Sequence, residues 1–175
     1  TAGGYRVFTN ITVPVRYSGV LDVNCMDADG DVLGGVDIRV TADSLRRTDL
    51  DATCDASGAA QLQLPLSNLD LDFVYQNVNV ASESLTFSAN QTLNVLTNVS
   101  DVVLNATHAD GRAAGTIHVW VVHPNGTLML AGSSFNSTTT LLNLPLGQYV
   151  VSSSWMGNPL PNTVATHHGA AGGSE

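Results

Sequence analysis

The chain has 175 residues and a formal net charge of −9, which comes from thirteen Asp, two Glu and six Arg, with no Lys. A chain this acidic has little with which to neutralise phosphates, which argues against a nucleic-acid partner and against docking on an anionic membrane surface. No apolar run approaches the ~18 residues that a membrane-spanning helix needs, so we expect no membrane insertion.

Residues 1–18 are predicted to form a long N-terminal strand, because apolar and polar side chains alternate from residue 5 onward. Such a strand, ahead of the first module, can leave its own subunit and complete the β-sandwich of a neighbour. The alternative is an ordinary first strand, since residues 85–98 precede the second module in a similar way. The apolar face of the candidate donor strand consists of Tyr5, Val7, Ile11, Val13, Val15 and Tyr17.

An acidic string follows the first predicted strand of the first module. Asp27, Asp29 and Asp31 alternate around Gly30, and carboxylates in such a bend can bind Ca²⁺. They form the one candidate metal site, and calcium is the one candidate cofactor. The second module has His108-Ala109-Asp110-Gly111-Arg112 at the same place. Because the turn is kept there and two carboxylates are lost, we favour a plain turn over a calcium site.

Two cysteines, Cys25 and Cys54, form the single pair that the chain allows. Their spacing matches no metal-binding or redox motif. In a secreted chain, an even number of cysteines favours a disulfide. The alternative is two buried free thiols.

The sequence contains an internal repeat, in which the second half of the chain resembles the first. Gly30 corresponds to Gly111, and the alternating strand Val36–Val40 corresponds to Ile117–Val121 at the same spacing. Short strands separated by Gly-bearing turns, without a helical period, predict an all-β fold of two tandem Ig-like or transthyretin-like sandwiches. The predicted organisation is an N-terminal strand (1–18), module one (19–83), module two (84–157) and an extended tail (158–175).

Six Asn-X-Ser/Thr sites exceed the roughly 2.6 that 14 Asn and 32 Ser and Thr would give by chance. They predict N-linked glycans and therefore a secreted, extracellular or cell-surface protein. The first residues, Thr1-Ala2-Gly3-Gly4, read like a processed N-terminus. The alternative is that a chain rich in Ser, Thr and Asn collects such triplets. The predicted glycosylation sites are Asn10, Asn90, Asn98, Asn105, Asn125 and Asn136.

Each module resembles the carboxypeptidase regulatory-like module, a transthyretin-like sandwich. The resemblance covers roughly residues 19–80 and 100–155, and it implies a fold and says little about activity. Module one carries Leu33-Gly34-Gly35-Val36, Thr53-Cys54-Asp55-Ala56-Ser57-Gly58 and Leu64-Pro65, and module two carries Asp110-Gly111 and Leu144-Pro145-Leu146-Gly147-Gln148-Tyr149.

No nucleophile elbow, zinc-protease motif or phosphate-binding loop is present in the sequence, so we expect no enzyme. The favoured hypothesis is a secreted structural subunit that polymerises with copies of itself into a filament or surface layer. In outline, such a chain resembles donor-strand filament subunits, and six glycosylation sites without Lys lean towards an archaeal surface. The alternative is an adhesin or carbohydrate-binding accessory module that uses loop residues such as Tyr75 and Trp155.

Overall fold

The computed structural model describes residues 18–108, 110–136 and 138–167, with side chains described outside 130–142. The predicted donor strand up to Tyr17 therefore lies outside the described residues. The prediction of an all-β fold is confirmed, since the described residues form strands and one 3₁₀ turn, Thr48–Leu50. None of these residues belongs to a helix long and apolar enough to cross a membrane. The strands are β1 (Ser18–Met26), β2 (Asp37–Ala42), β3 (Leu45–Arg46), β4 (Ala52–Thr53), β5 (Ala59–Pro65), β6 (Asn68–Tyr75), β7 (Val78–Thr86), β8 (Gln91–Leu96), β9 (Val99–Asn105), β10 (Thr116–Val122), β11 (Leu128–Asn136), β12 (Thr138–Pro145), β13 (Gly147–Trp155), β14 (Asn158–Pro159) and β15 (Thr163–His167).

The first sandwich consists of two sheets. One sheet has the order β5-β1-β8, and the other has the order β3-β2-β6-β7, with β4 paired to β2. Inward-facing side chains alternate along β1, where Leu21, Val23 and Cys25 are at most 1% exposed. This alternation is the period-two pattern of a strand with one face on a core.

The strand β8 has an unexpected partner. It runs parallel to β1, with Leu93 opposite Val23 and Val95 opposite Cys25. The sequence repeat predicts that residues 84–157 form the second module, but the pairing of residues 91–96 places them in the sheet of the first. Only Thr97 and Asn98 separate β8 from β9, the first strand of the second sandwich.

The second sandwich repeats the first with fewer strands. One sheet contains β11, β10 and β13, and both β14 and β15 pair with β13. The other sheet contains β12 and β9, which pair antiparallel as β5 and β1 do in the first sandwich. Among the residues with described side chains, the buried apolar ones of its core are Ile117, Val119, Val121, Leu144 and Tyr149.

The repeat extends to individual hydrogen bonds. In the first sandwich, the N–H of Asp27 donates to the Asp31 carbonyl at 2.8 Å, and that of Gly30 donates to the Asp27 carbonyl at 3.2 Å. The second sandwich has the same pair of bonds in its corresponding turn, from His108 to Arg112 and from Gly111 to His108, at 2.7 and 2.8 Å. Both glycines have positive φ, 89° and 82°, which explains why Gly occupies this position twice.

The motif Leu-Pro-x-Gly-x-Tyr of the second module also has a structural role. Tyr149 is buried, and its hydroxyl donates to the carbonyl of Pro145, four residues earlier. Burial raises the pKa of Tyr149 to about 12, because the phenolate would lose its hydration. The hydroxyl therefore stays protonated and ties the start of β13 to the end of β12.

We expect Tyr149→Phe to destabilise the second sandwich by about 1–2 kcal/mol, because the Pro145 carbonyl loses a buried donor. The neutral tyrosine contributes its full stability below pH 10, and this contribution is lost as the pH rises towards the folded-state pKa of about 12. Urea unfolding of both proteins between pH 8 and 12 checks this. Equal alkaline losses of stability in the two proteins would contradict it.

Candidate functional site

The acidic string folds as a turn. The carboxylate oxygen Oδ1 of Asp27 accepts the N–H groups of Asp29 and Asp31 at 3.0 and 2.8 Å. Asp27 is buried at 4% exposure, so its side chain is directed into the loop it stabilises. Within residues 18–108, 110–136 and 138–167, no three His, Cys, Asp or Glu side chains are grouped closely enough to hold a metal ion.

The two cysteines lie side by side in the core of the first sandwich. Their Sγ atoms are 2.9 Å apart, and both side chains are buried as free thiols. The contact with Cys54, together with burial, raises the pKa of the Cys25 thiol. Cys25 is therefore held in its protonated form, which reacts slowly with alkylating agents. The disulfide remains a prediction for the oxidised protein.

Four of the predicted glycosylation sites lie among the residues with described side chains, and all four asparagines are exposed. Two of these asparagines also bind the main chain. The Oδ1 atoms of Asn90 and Asn125 accept the N–H groups of Val20 and Thr127 at 2.8 and 2.9 Å. Glycosylation modifies the amide nitrogen and leaves this oxygen free to accept. Asn98 directly precedes β9 and Asn105 is its last residue, whereas Asn10 lies outside the described residues and Asn136 has no described side chain.

The main difference between the sandwiches is the strand beside β9. In the first sandwich, β1 lies between β5 and β8. In the second, β9 pairs with β12, and no strand within the described ranges pairs with its other edge. An open edge of this kind presents main-chain groups to a further strand.

The side chains of β9 show the same difference. In the repeat, Val102, Leu104 and Ala106 occupy the positions that Leu21, Val23 and Cys25 have in the first sandwich. Those three residues of β1 are at most 1% exposed, whereas their counterparts on β9 and just after it are only half-buried. The second core is therefore partly open along this edge.

A cavity of about 500 Å³ lies at the open edge. It is bordered by the end of β9, the loop that follows it, and the strands β10 and β13. Part of its volume comes from small side chains, because Val119 lies opposite Ser153 where Ile38 lies opposite Phe73 in the first sandwich. The lining includes Leu104, Ala106, Ala114, Ile117, Ser153 and Trp155.

This cavity was not predicted from the sequence, although its components were visible in the repeat. Ala114 replaces Leu33, and the N–H groups of both residues donate to equivalent carbonyls, those of Ala106 and Cys25, at 3.0 Å. The sequence signal for the cavity was the replacement of large residues of the first copy by small ones in the second. To predict a cavity from these replacements, one must know which strands pack together.

The two aromatic residues of the binding-module hypothesis lie in different sandwiches. Tyr75 ends β6 of the first sandwich, and Trp155 ends β13 of the second. The indole N–H of Trp155 donates to the Ala114 carbonyl at 3.0 Å, and the ring contacts His108 edge-on with centroids 5.4 Å apart. Trp155 is therefore one of the residues that line the cavity at the open edge.

No protein-family model matches this chain, and no curated protein matches it. Similar solved structures include a Streptococcal ancillary pilin, with 11% identity over 90% of this chain and 61% of that one, and a TM-score of 0.44. GBS52, the minor pilin of Streptococcus agalactiae, has 14% identity over 85% of this chain and 90% of that one, with a TM-score of 0.47. The Bacillus anthracis TIE protein has 11% identity over 86% of this chain, with a TM-score of 0.37.

This chain spans only 31% of the TIE protein and 61% of the ancillary pilin. The similarity to Gram-positive pilins is one of structure at very low sequence identity, and similarity this distant carries no argument about function. The features of this chain that bear on function are the edge of β9 that faces away from β12 and the cavity beside it. The resemblance to the carboxypeptidase regulatory-like module remains a resemblance.

We expect Cys25 and Cys54 to form a disulfide in the protein isolated from its source, because their sulfur atoms are already in contact. Alkylation under denaturing conditions, with and without prior reduction, followed by intact-mass measurement checks this. Without reduction, neither cysteine should be alkylated. Two alkylated cysteines in the unreduced protein would show that the thiols stay free.

We expect glycans on Asn10 and Asn125. Asn125 lies in the exposed Pro124-Asn125-Gly126 turn. In the predicted strand, Asn10 alternates with the apolar set, so its side chain points away from that face. Glycopeptide mass spectrometry of the native protein should find both sites occupied. Bare asparagine at both sites would count against a glycosylated surface protein.

Proposed function

We propose that this protein is a secreted, N-glycosylated structural subunit that polymerises into an extracellular filament or surface layer by β-strand donation. The donated segment is residues 5–17 of the predicted N-terminal strand, because Ser18 begins β1. The observation that carries the proposal is the second sandwich, whose strand β9 has a pairing partner on only one edge within the described residues, beside a cavity of about 500 Å³.

The first sandwich supports the same proposal. Its strand β1 begins at Ser18 and pairs on both edges, with β5 and with β8. The residues before Ser18 are therefore not required as a neighbour of β1. An apolar, alternating segment attached to a sandwich whose own central strand is already paired is suited to bind elsewhere.

The low content of charged residues and the predicted glycosylation sites support an extracellular location. Charged residues are only 12% of the chain, so N-linked sugars at the exposed asparagines would supply the solubility that charges usually provide. Six glycosylation sites and the lack of Lys are also in keeping with an archaeal cell surface. Residues 5–17 of each copy would bind the edge of β9 of the next copy. Because these are two different surfaces, assembly would be head-to-tail and open-ended.

Deletion of residues 5–17 tests this function. The truncated protein should remain folded, because β1 keeps both neighbours, and it should be monomeric where the full chain forms filaments. Electron microscopy and a thermal melt of the two proteins measure assembly and folding separately. A synthetic peptide of residues 5–17 should bind the truncated monomer.

The rival explanation makes different predictions. If residues 5–17 belonged to their own first sandwich, the truncated protein would lose its folded core and the peptide would restore it. Filaments formed by the truncated protein would exclude donation by this segment. Uniform monomers of the full chain at high concentration would instead favour an adhesin or a carbohydrate-binding module, which a glycan array would then identify.

A further inference from the structure

We propose that residues 11–15 of one copy bind beside β9 of the next copy as a parallel strand, in the register that β8 adopts beside β1. This inference rests on the proposed function and specifies its acceptor site and geometry. The acceptor is the edge of β9 that faces away from β12, around Val103, together with the cavity beside it.

The chain contains an internal example of this pairing. The strand β8 directly precedes the second sandwich, yet it completes the first by pairing in parallel with β1. The segment before Ser18 precedes the first sandwich in the same way. By the same relationship, the N-terminal segment would complete a second sandwich that another copy of this chain supplies.

The two segments also align in sequence, with three of six positions identical. Asn90-Gln91-Thr92-Leu93-Asn94-Val95 corresponds to Asn10-Ile11-Thr12-Val13-Pro14-Val15. The match retains the glycosylation site and both inward apolar positions. In β8 these positions are Leu93, which is half-buried, and Val95, which is 1% exposed. Val13 and Val15 would therefore face the core of the acceptor.

Pro14 is compatible with this register and not with a register shifted by one. The N–H of Thr97, just beyond β8, donates to the carbonyl of Met26 in β1 at 2.8 Å. Because N–H directions alternate along a strand, Leu93 and Val95 also direct their N–H groups to β1, and Asn94 directs its own away. Pro14 aligns with Asn94, so its missing N–H costs no bond to the acceptor.

The cavity fits a difference in side-chain size between the segments. Tyr17 aligns with Thr97, which is 1% exposed in the first sandwich. The second sandwich has Ala114 and Ser153 where the first has Leu33 and Phe73, which leaves room for a larger side chain. Tyr17 of the donor would therefore fill part of the cavity beside Ala114 and Ser153.

The register predicts specific neighbours. Asp22 lies opposite Thr92 in the first sandwich, so Thr12 of the donor would lie opposite Val103 of the acceptor. Val103 is 57% exposed on the outer face of β9, which makes it accessible for cross-linking. Asp22 is the matched control, because it occupies the same place on β1, where β8 already covers the edge.

The test uses the full chain with two pairs of cysteine substitutions, Thr12→Cys with Val103→Cys and Thr12→Cys with Asp22→Cys. Each protein is assembled, mildly oxidised and run on a non-reducing gel. The first pair should give a ladder of covalent multimers, and the second should stay monomeric. Mixing the two single variants of the first pair should give dimers only. The Thr12→Cys protein alone controls for loss of the Asn10 glycosylation site.

The outcomes separate this inference from the proposed function. Filaments without cross-links at Val103 would overturn the acceptor site and leave a filament subunit standing. A cross-link within one copy, or one at Asp22, would also overturn it. If the wild-type chain forms neither filaments nor oligomers, the proposed function fails as well.

A second measurement tests which donor side chains point into the core of the acceptor. Binding of the residue 5–17 peptide to the protein lacking these residues should weaken by about tenfold or more with Val13→Asp, because the carboxylate would enter an apolar core. Thr12→Asp, on the outer face, should change the affinity by much less. Equal effects of the two substitutions would contradict the proposed register.

Discussion

The central strand of a β-sandwich sheet needs a hydrogen-bonding neighbour on each edge, and the rest of this structure depends on how that requirement is met. The strand β1 has β5 on one side and β8 on the other. The second partner comes from a segment that lies far along the chain, after all the other strands of the first sandwich. The stability of the first core therefore depends on the start of the second repeat.

This arrangement couples the two sandwiches closely. Thr97 and Asn98 are the only residues between β8 and β9, and both make main-chain bonds back to the first sandwich, to Met26 and Val80 at 2.8 Å. The N–H of Ala28 donates to the carbonyl of Val99, the first residue of β9, at 2.7 Å. The chain thus leaves one sandwich and enters the next along a connection held at several points. A connection of this kind between successive copies would give a fibre with little freedom at each joint.

The two cores show what a completed edge contributes. Phe73, Leu33 and Val95 are at most 1% exposed in the first sandwich, and each buried aliphatic or aromatic group of this size contributes about 1.5–3 kcal/mol. In the second sandwich, Ser153 and Ala114 take the places of Phe73 and Leu33. At these two described positions the second core therefore buries less apolar surface than the first, and an added strand could supply apolar side chains there.

Much of the fold could be predicted from the sequence. The period-two alternation identified the strands, the Asp-Gly turns fixed their ends, and the constant spacing between matching segments identified two copies of one module, because these signals are local or repeat along the chain. The partner of β8 could not be predicted. Alternation reports which side chains face a core, and residues 91–96 have the same pattern whether that core belongs to the first or to the second module.

The open edge of β9 likewise required the tertiary structure. Strand pairing is a contact between segments distant in sequence, and main-chain N–H and C=O groups are the same in every residue, so the sequence carries no direct record of which edges are paired. The sequence by itself determined the fold class, and it identified the two cysteines as a candidate disulfide and six Asn-X-Ser/Thr sites as candidate glycosylation sites. Only the tertiary structure decided that β8 completes the preceding sandwich and that Leu104 and Ala106 line a cavity, because both facts depend on contacts between segments distant in sequence.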